Sequence, residues 1–180
     1  MNTERLALGT HSYFFPEGKA FTSPSAGTAS RTAKPDGDET TWLNVGPGNW
    51  VKSPNNTIVD YHQPAPGARV LYDRIATKKG LILKGKWMEM SNLVYKMLHG
   101  CASDFPLTGA GGQFNPLEGD VIIRGWLQQQ HYDHKNVLLS TEDYYVAMNI
   151  PGDVDFGENL VDVDVEAHVL FSTLNTGSLR

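Results

Sequence analysis

The short run His131-Tyr132-Asp133-His134 holds the residue types most capable of metal chemistry. Two imidazoles and a carboxylate can bind zinc, but a closed site needs further ligands and a rigid frame. The surrounding residues are polar and typical of a turn, and no helix places the two histidines on one face. The run therefore favours a polar hairpin tip, and we expect no metal site.

Other sequence features that could support catalysis lack their necessary partners. The glycines of Gly109–Gly112 resemble a phosphate loop, but no Lys-Ser/Thr pair follows them and they come after a helix. Cys101 lies two residues after His99, yet no third partner or oxyanion loop accompanies it. We expect a mobile loop, a buried structural thiol at Cys101, and neither an enzyme nor a bound cofactor.

An acidic run near the C-terminus is the strongest charge pattern; it comprises Asp153, Asp155, Glu158, Asp162, Asp164 and Glu166. The spacing fits an EF-hand calcium loop poorly. On a strand every second acid faces the same way, about 7 Å from the next. Two interpretations remain open, namely an ordinary solvated face and a negative surface that keeps DNA from sticking.

Composition narrows the function classes. The chain has 180 residues and a formal net charge of −5, which argues against a protein that grips nucleic acid through its phosphates. A single cysteine allows no internal disulfide. The first ten residues show no signal-peptide pattern, and no apolar run of about 18 residues predicts a membrane span.

One short helix stands out. Leu93, Val94, Met97 and Leu98 form one apolar stripe, Ser91 can cap the N-terminus, and Gly100 can end the helix. This predicts a helix at about 91–99 that is too short to be stable unless it packs on a sheet.

Strand patterns dominate the rest. The clearest is 161–171, with Val161, Val163, Val165, Ala167, Val169 and Phe171 on a dry face and Asp162, Asp164, Glu166 and His168 on a wet one. The first segment, 6–15, is predicted to be a short strand or an extended arm. Further strands are predicted at 41–45, 57–59, 68–76, 81–90, 119–132, 137–139 and 144–150, with a turn at 46–49. We expect one mainly β domain over 1–180: a β-sandwich or open barrel of antiparallel strands with one short flanking helix.

The stretch at about 16–40 is rich in Gly, Pro, Ser and Thr and predicts a long loop or arm. Loops of this length are usually functional or disordered. This arm and the loop 107–116 are candidates for contact between subunits. We expect that deleting 23–34 impairs assembly and leaves the monomer folded.

The order of these elements resembles that of phage major tail tube proteins. The strand LILKGKWMEM (81–90) runs directly into the helix SNLVYKMLHG (91–100). The strands GDVIIRGWL (119–127) and YYVAMNI (144–150) follow, and an acidic alternating strand (161–171) with a short tail closes the chain. The stretch 16–40 departs from the family pattern.

The resemblance implies a virion tail protein, made in the host cytoplasm, whose partners are itself and other tail proteins. Six subunits would form a ring, and stacked rings would form a tube through which DNA passes transiently. The family's channel wall tends to be negative, which makes Asp162, Asp164 and Glu166 the candidate channel-wall residues.

Two other readings stay open. One is another virion component, such as a tail terminator, a connector or a capsid decoration protein. The other is a β-sandwich carbohydrate-binding module that uses exposed Trp and Tyr, although aromatic side chains more often pack in cores and interfaces.

Overall fold

The computed structural model describes residues 9–87, 92–100, 115–155 and 163–179. Eleven strands and one helix lie in these ranges: β1 Gly9–Pro16, β2 Ala20–Phe21, β3 Gly27–Thr28, β4 Leu43–Pro54, β5 Thr57–Ala65, β6 Ala68–Lys78, β7 Leu81–Trp87, α1 Asn92–His99, β8 Ile123–Tyr132, β9 Leu138–Asn149, β10 Val163–Val169 and β11 Thr176–Leu179. The predicted fold class, mainly antiparallel β with one short helix, is confirmed.

Six strands close into a barrel. Their order is β10-β7-β4-β1-β8-β9, every pairing is antiparallel, and β10 also pairs with β9. β11 pairs with β9 next to the end of β10. Closure satisfies the strand edges that an open sheet would leave unpaired. The barrel is therefore closed where the sequence left a sandwich or an open barrel as alternatives.

The barrel interior is the main core. Its buried residues include Phe14, Leu83, Leu127, Val146, Met148, Val163, Val165 and Ala167. The helix α1 adds Leu93, Val94 and Met97 to the same cluster, next to Trp87. It ends at Gly100, whose φ is +60° and whose N–H donates to the Lys96 carbonyl at 2.9 Å. The helix thus covers the end of the barrel at which β7 stops.

A second core lies on the outer face of β1, β8 and β9, where Phe15, Trp126 and Tyr145 are buried. Phe21 and Ala29, from the stretch 16–40, cover this face. The indole N–H of Trp126 lies 3.0 Å from the Ser30 carbonyl and 3.1 Å from that of Ala33, and donates to both. The stretch is therefore packed on its own barrel.

A buried carboxylate organises the same stretch. Glu39 accepts hydrogen bonds from the backbone N–H groups of Thr22 and Ser23, each at 3.0 Å. These backbone hydrogen bonds hold the pKa of Glu39 below its ordinary value of 4.5. Because a deletion of 23–34 would remove Ala29 and the partners of Trp126, we now expect it to destabilise the monomer.

The predicted turn at 46–49 is wrong, because β4 runs without a break from Leu43 to Pro54. Gly46 adopts φ +90°, and its N–H donates to the side-chain oxygen of Asn44 at 2.8 Å. The register with β1 shifts between Ser12 and Tyr13 at this point. The glycine therefore makes a bulge in a continuous strand where we predicted a turn.

The end of the last predicted strand also differs. β10 stops at Val169, and Phe171, placed on the dry face from the sequence, is 81% exposed. The chain leaves the sheet here, and the side chain of Asn175 accepts the N–H of Tyr145 at 2.8 Å. The tail then returns as β11, a strand that the sequence did not predict.

The close approach of β1 and β8 can be tested by substitution of Gly125. A Cβ on Gly125 would lie 2.3 Å from the carbonyl oxygen of Phe15 and 2.6 Å from the ring of Phe14. We predict that Gly125→Ala destabilises the fold by about 3 kcal/mol, because backbone and core must both shift. Gly152→Ala, where nothing lies within 4 Å, is the control and changes stability by roughly 0.5 kcal/mol or less. Equal urea midpoints for both variants would contradict this packing.

Candidate assembly surfaces

The strands β5 and β6 form a hairpin that extends the β4–β7 ladder away from the barrel. Its base is held where the N–H of Asn55 donates to the Gly80 carbonyl at 2.8 Å. Within the described part of the chain, β5 and β6 pair only with each other. Gly67, at φ +81°, forms the tip. With nine residues in β5, the hairpin is about 30 Å long.

The hairpin exposes large apolar side chains along most of its length. Seven are between 50% and 69% exposed: Ile58, Val59, Tyr61, Val70, Leu71, Tyr72 and Ile75. They occupy both faces, since Val59 is opposite Ile75 on one face while Ile58 is opposite Ala76 on the other. A hairpin surrounded by water usually carries polar side chains on at least one face, and exposed apolar surfaces of this extent are uncommon on monomeric proteins.

One ion pair stiffens the hairpin. The guanidinium of Arg74 donates to both carboxylate oxygens of Asp60, at 2.7 and 3.2 Å. This hydrogen bond, more than the charge itself, lowers the pKa of Asp60 and raises that of Arg74. An isolated two-stranded hairpin is only marginally stable in water, and both of its outer edges carry unpaired backbone groups. The ion pair therefore joins the two strands across the hairpin, while the outer edges of β5 and β6 stay open in the described part of the chain.

The candidate channel-wall residues lie on the outer face of β10. Asp164 is exposed and Glu166 is half-buried, in the alternation that the sequence predicted. Asp162 falls outside the described residues. Lys84 pairs with Glu166 at 2.9 Å and Lys86 pairs with Asp164 at 3.8 Å, both across the β10–β7 ladder. The hydrogen bond from Lys84 lowers the pKa of Glu166. The face is therefore balanced in charge, whereas the sequence pattern of β10 alone suggested a negative one.

A polar cluster closes the hairpin end of the barrel, and the sequence analysis missed it. Glu142 of β9 pairs with Lys52 of β4, accepts the hydroxyl of Tyr144 at 3.1 Å and lies 3.5 Å from His131. The other ring nitrogen of His131 lies 2.9 Å from the hydroxyl of Thr10. These residues come from four different strands, so no sequence spacing links them.

Burial and charge act in opposite directions on this cluster. Burial opposes ionisation of Glu142, but the hydrogen bond and charge of Lys52, together with the hydrogen bonds from Tyr144 and His131, outweigh it and hold the pKa of Glu142 below 4.5. Burial, followed by the charge of Glu142, raises the pKa of Tyr144 to about 12. At neutral pH the cluster therefore combines an ammonium, a carboxylate and a phenol, which suits a structural ion-pair network.

The residues first considered for metal chemistry are separated. His131 belongs to the barrel cluster, while His134 lies exposed in the β8–β9 turn. No group of three or more His, Cys, Asp or Glu in the described ranges could hold a metal ion. Cys101 and Gly109–Gly112 lie outside the described residues, as does almost all of the loop 107–116.

The four tryptophans bear on the carbohydrate alternative. Trp87 and Trp126 are buried, and Trp50 and Trp42 are half-buried against the two cores. Their rings pack within the chain, so none offers an open stacking platform. Exposed aromatic rings occur instead on the hairpin, where Tyr61 and Tyr72 lie edge to face with ring centroids 6.0 Å apart.

Comparisons with protein-family models and with curated protein sequences find no match to this chain. None of the helical residues placed by the structure forms a segment long and apolar enough to cross a bilayer.

The polar cluster generates a stability prediction. Glu142→Gln should lower the free energy of unfolding by about 1–2 kcal/mol at pH 7, because Lys52 and His131 lose their anionic partner in a partly exposed site. The folded-state pKa of Glu142 is lowered, so its contribution is present above about pH 4.5 and is lost as pH falls through the folded-state value. Urea unfolding at pH 7 and pH 4 measures both effects.

Glu118→Gln, at an exposed position, is the control for that measurement. It should leave the unfolding midpoint within roughly 0.5 kcal/mol of the unmodified protein. A Glu142→Gln effect that is no larger than the control, or that grows as pH falls, would contradict the assignment.

Proposed function

We propose that this protein is a structural subunit of a phage tail, and that its copies associate into stacked rings that form the tail tube. The main support for self-association is the β5–β6 hairpin. This hairpin has apolar residues on both of its faces and projects from a closed barrel. The assignment to a tail tube rests in addition on the order of strands and helix, which resembles that of phage major tail tube proteins. The assembled protein would be located in the virion tail.

The size of the exposed surface favours a protein partner. The seven apolar hairpin residues together expose on the order of 800 Å², about what one partner contributes to a standard interface. Surfaces of this extent on a lone subunit usually mark interaction sites or aggregation hazards. Ordered assembly resolves the hazard, because a neighbour covers the side chains and pairs the open strand edges.

The balanced face of β10 and β7 suits a wall past which DNA moves. Each acid there faces a lysine, so the described part of the face offers phosphates little net attraction. The net charge of −5 for the whole chain adds a mild repulsion. DNA would then pass without being held.

Removing the hairpin tests the proposal. Joining Asn56 to Gly80 through one added glycine deletes 57–79 and replaces the hairpin with a two-residue Asn-Gly turn, which suits antiparallel strands. The β4–β7 ladder from Gly48–Trp87 to Pro54–Leu81 remains intact. We expect a folded monomer at concentrations at which the full chain forms rings and tubes, as measured by light scattering and negative-stain microscopy.

Three results would contradict parts of this proposal. A full chain that stays monomeric at high concentration would remove self-association. Tubes of normal length from the hairpin deletion would remove the role of the hairpin. Single rings that never stack would favour a connector or terminator over a tube protein.

Neutralising the acids tests the channel wall. Asp164→Asn with Glu166→Gln leaves Lys84 and Lys86 without their partners, so the lumen gains two net positive charges per subunit. We predict that tubes of this variant retain short duplex DNA at low salt and release it at high salt, as measured by co-sedimentation. The control is Asp153→Asn with Glu118→Gln, which has the same change in charge at exposed positions elsewhere. DNA retention equal to the control would show that this face does not line the channel.

A further inference from the structure

A second apolar surface lies beside α1, between the turn that leads into β8 and the outer face of β9. It is a groove of about 410 Å³ lined by the apolar residues Met97, Val121, Ile122, Ala147 and Ile150, together with Asn149 and His168. His168 pairs with Ile82 near the start of β7, so the groove reaches along the barrel from the helix toward the base of the hairpin. Its described lining residues lie outside β5 and β6, so the groove and the hairpin are two different surfaces.

Local hydrogen bonds position the turn beside the groove. The last carbonyls of α1 are satisfied by the segment that precedes β8, since Leu117 N–H donates to the His99 carbonyl at 2.7 Å. The carboxylate of Asp120 accepts the N–H of Ile122 at 2.9 Å, which fixes the turn into β8. Val121 and Ile122 are each 41% exposed as a result. These two side chains are therefore presented next to the helix by a built turn.

We propose that the β5–β6 hairpin of one copy docks in the α1 groove of the next copy, so that the contact joins two different surfaces of the same chain. This rests on the proposed function and names the surface that receives the hairpin. Val70 and Tyr72, which share one face of β6 near the hairpin tip, enter the groove. The hairpin supplies the area of one side of a standard interface, and the groove supplies an apolar recess of matching character.

Because this contact joins two unlike surfaces, it determines how an assembly can grow. A contact between two different surfaces leaves one free hairpin and one free groove on every pair, so it closes into a ring or continues as a filament. Pairing of the same hairpin edge in two copies would instead be two-fold symmetric and would stop at a dimer. The contact between hairpin and groove joins unlike surfaces and so extends an assembly from one copy to the next.

Single substitutions on each surface test the proposal. Tyr72→Glu places a charge on the hairpin at a position that is 69% exposed in the monomer, and Ile122→Glu places one in the groove. Each should raise the concentration needed for assembly by at least thirtyfold, because a charge buried without a partner is costly at an interface. Val137→Glu, at an exposed apolar position outside both surfaces, is the control and should assemble normally. Circular dichroism and thermal melts establish that all three variants fold.

A mixing experiment separates the possible outcomes. An equimolar mixture of Tyr72→Glu and Ile122→Glu should give dimers that grow no further, since one hairpin and one groove remain intact between them. Sedimentation velocity measures this. Dimers in the mixture, with monomers in each variant alone, support the proposal. Monomers in the mixture would overturn the docking proposal. Normal assembly of the Ile122→Glu variant, when the Tyr72→Glu variant does not assemble, would also overturn it.

A failure of the proposed function gives a different pattern. If the unmodified chain never associates, the self-association itself fails and the docking proposal fails with it. If the unmodified chain and Ile122→Glu both assemble, the function stands and only the groove is wrong. Tyr72→Cys on one copy and Ile122→Cys on another, both in a Cys101→Ser background, provide a second measurement. The absence of a disulfide-linked dimer in oxidised, assembled material would overturn the docking.

Discussion

The closure of the barrel by β10 is the interaction on which the other features depend. β10 pairs with β7 along one edge and with β9 along the other, so the six strands leave no open edge around most of the barrel. The same strand points Val163, Val165 and Ala167 inward and Asp164 and Glu166 outward. Because the barrel satisfies its own backbone groups, the unpaired strand edges of β5 and β6 are confined to the hairpin that projects from it.

Two apolar layers share the barrel wall. The interior holds the larger core, and α1 covers one of its ends. On the outside, Phe15, Trp126 and Tyr145 are covered by the stretch that follows β1. This second layer explains why consecutive residues of β8, such as Trp126 and Leu127, are both fully buried although they face opposite ways. One side of the wall is thus covered by the chain itself, and the side formed by β7 and β10 carries ion pairs.

The features that could be predicted from the sequence are those set by local periodicity. The alternation in β10 and the apolar stripe of α1 identified both elements, and Gly100 marked the end of the helix. The stretch 16–40 could not be placed from its composition, because the contacts that hold it come from Trp126 and Tyr145, far along the chain. The sequence predicts a turn at Gly46 because a bulge and a turn use the same residue type.

The site was harder to predict than the fold. The alternation gave the position of Asp164 and Glu166 correctly, but the charge of their face depends on Lys84 and Lys86 from a neighbouring strand. The consecutive apolar residues Val70, Leu71 and Tyr72 are the available signal for a hairpin exposed on both faces, but by themselves they predict only a strand at 68–76. The polar cluster around Glu142 draws on four strands and has no local signature.

Hydrogen exchange of the hairpin amides tests the central claim most directly. The outward N–H groups of 57–78 have no neighbouring strand in the described part of a lone subunit, so they should exchange rapidly in dilute protein. As concentration rises and copies associate, the same amides should become protected together with those around Ile122, while exchange in the barrel core stays unchanged. Rapid hairpin exchange at every concentration, in a chain that sediments as a monomer, would contradict the account.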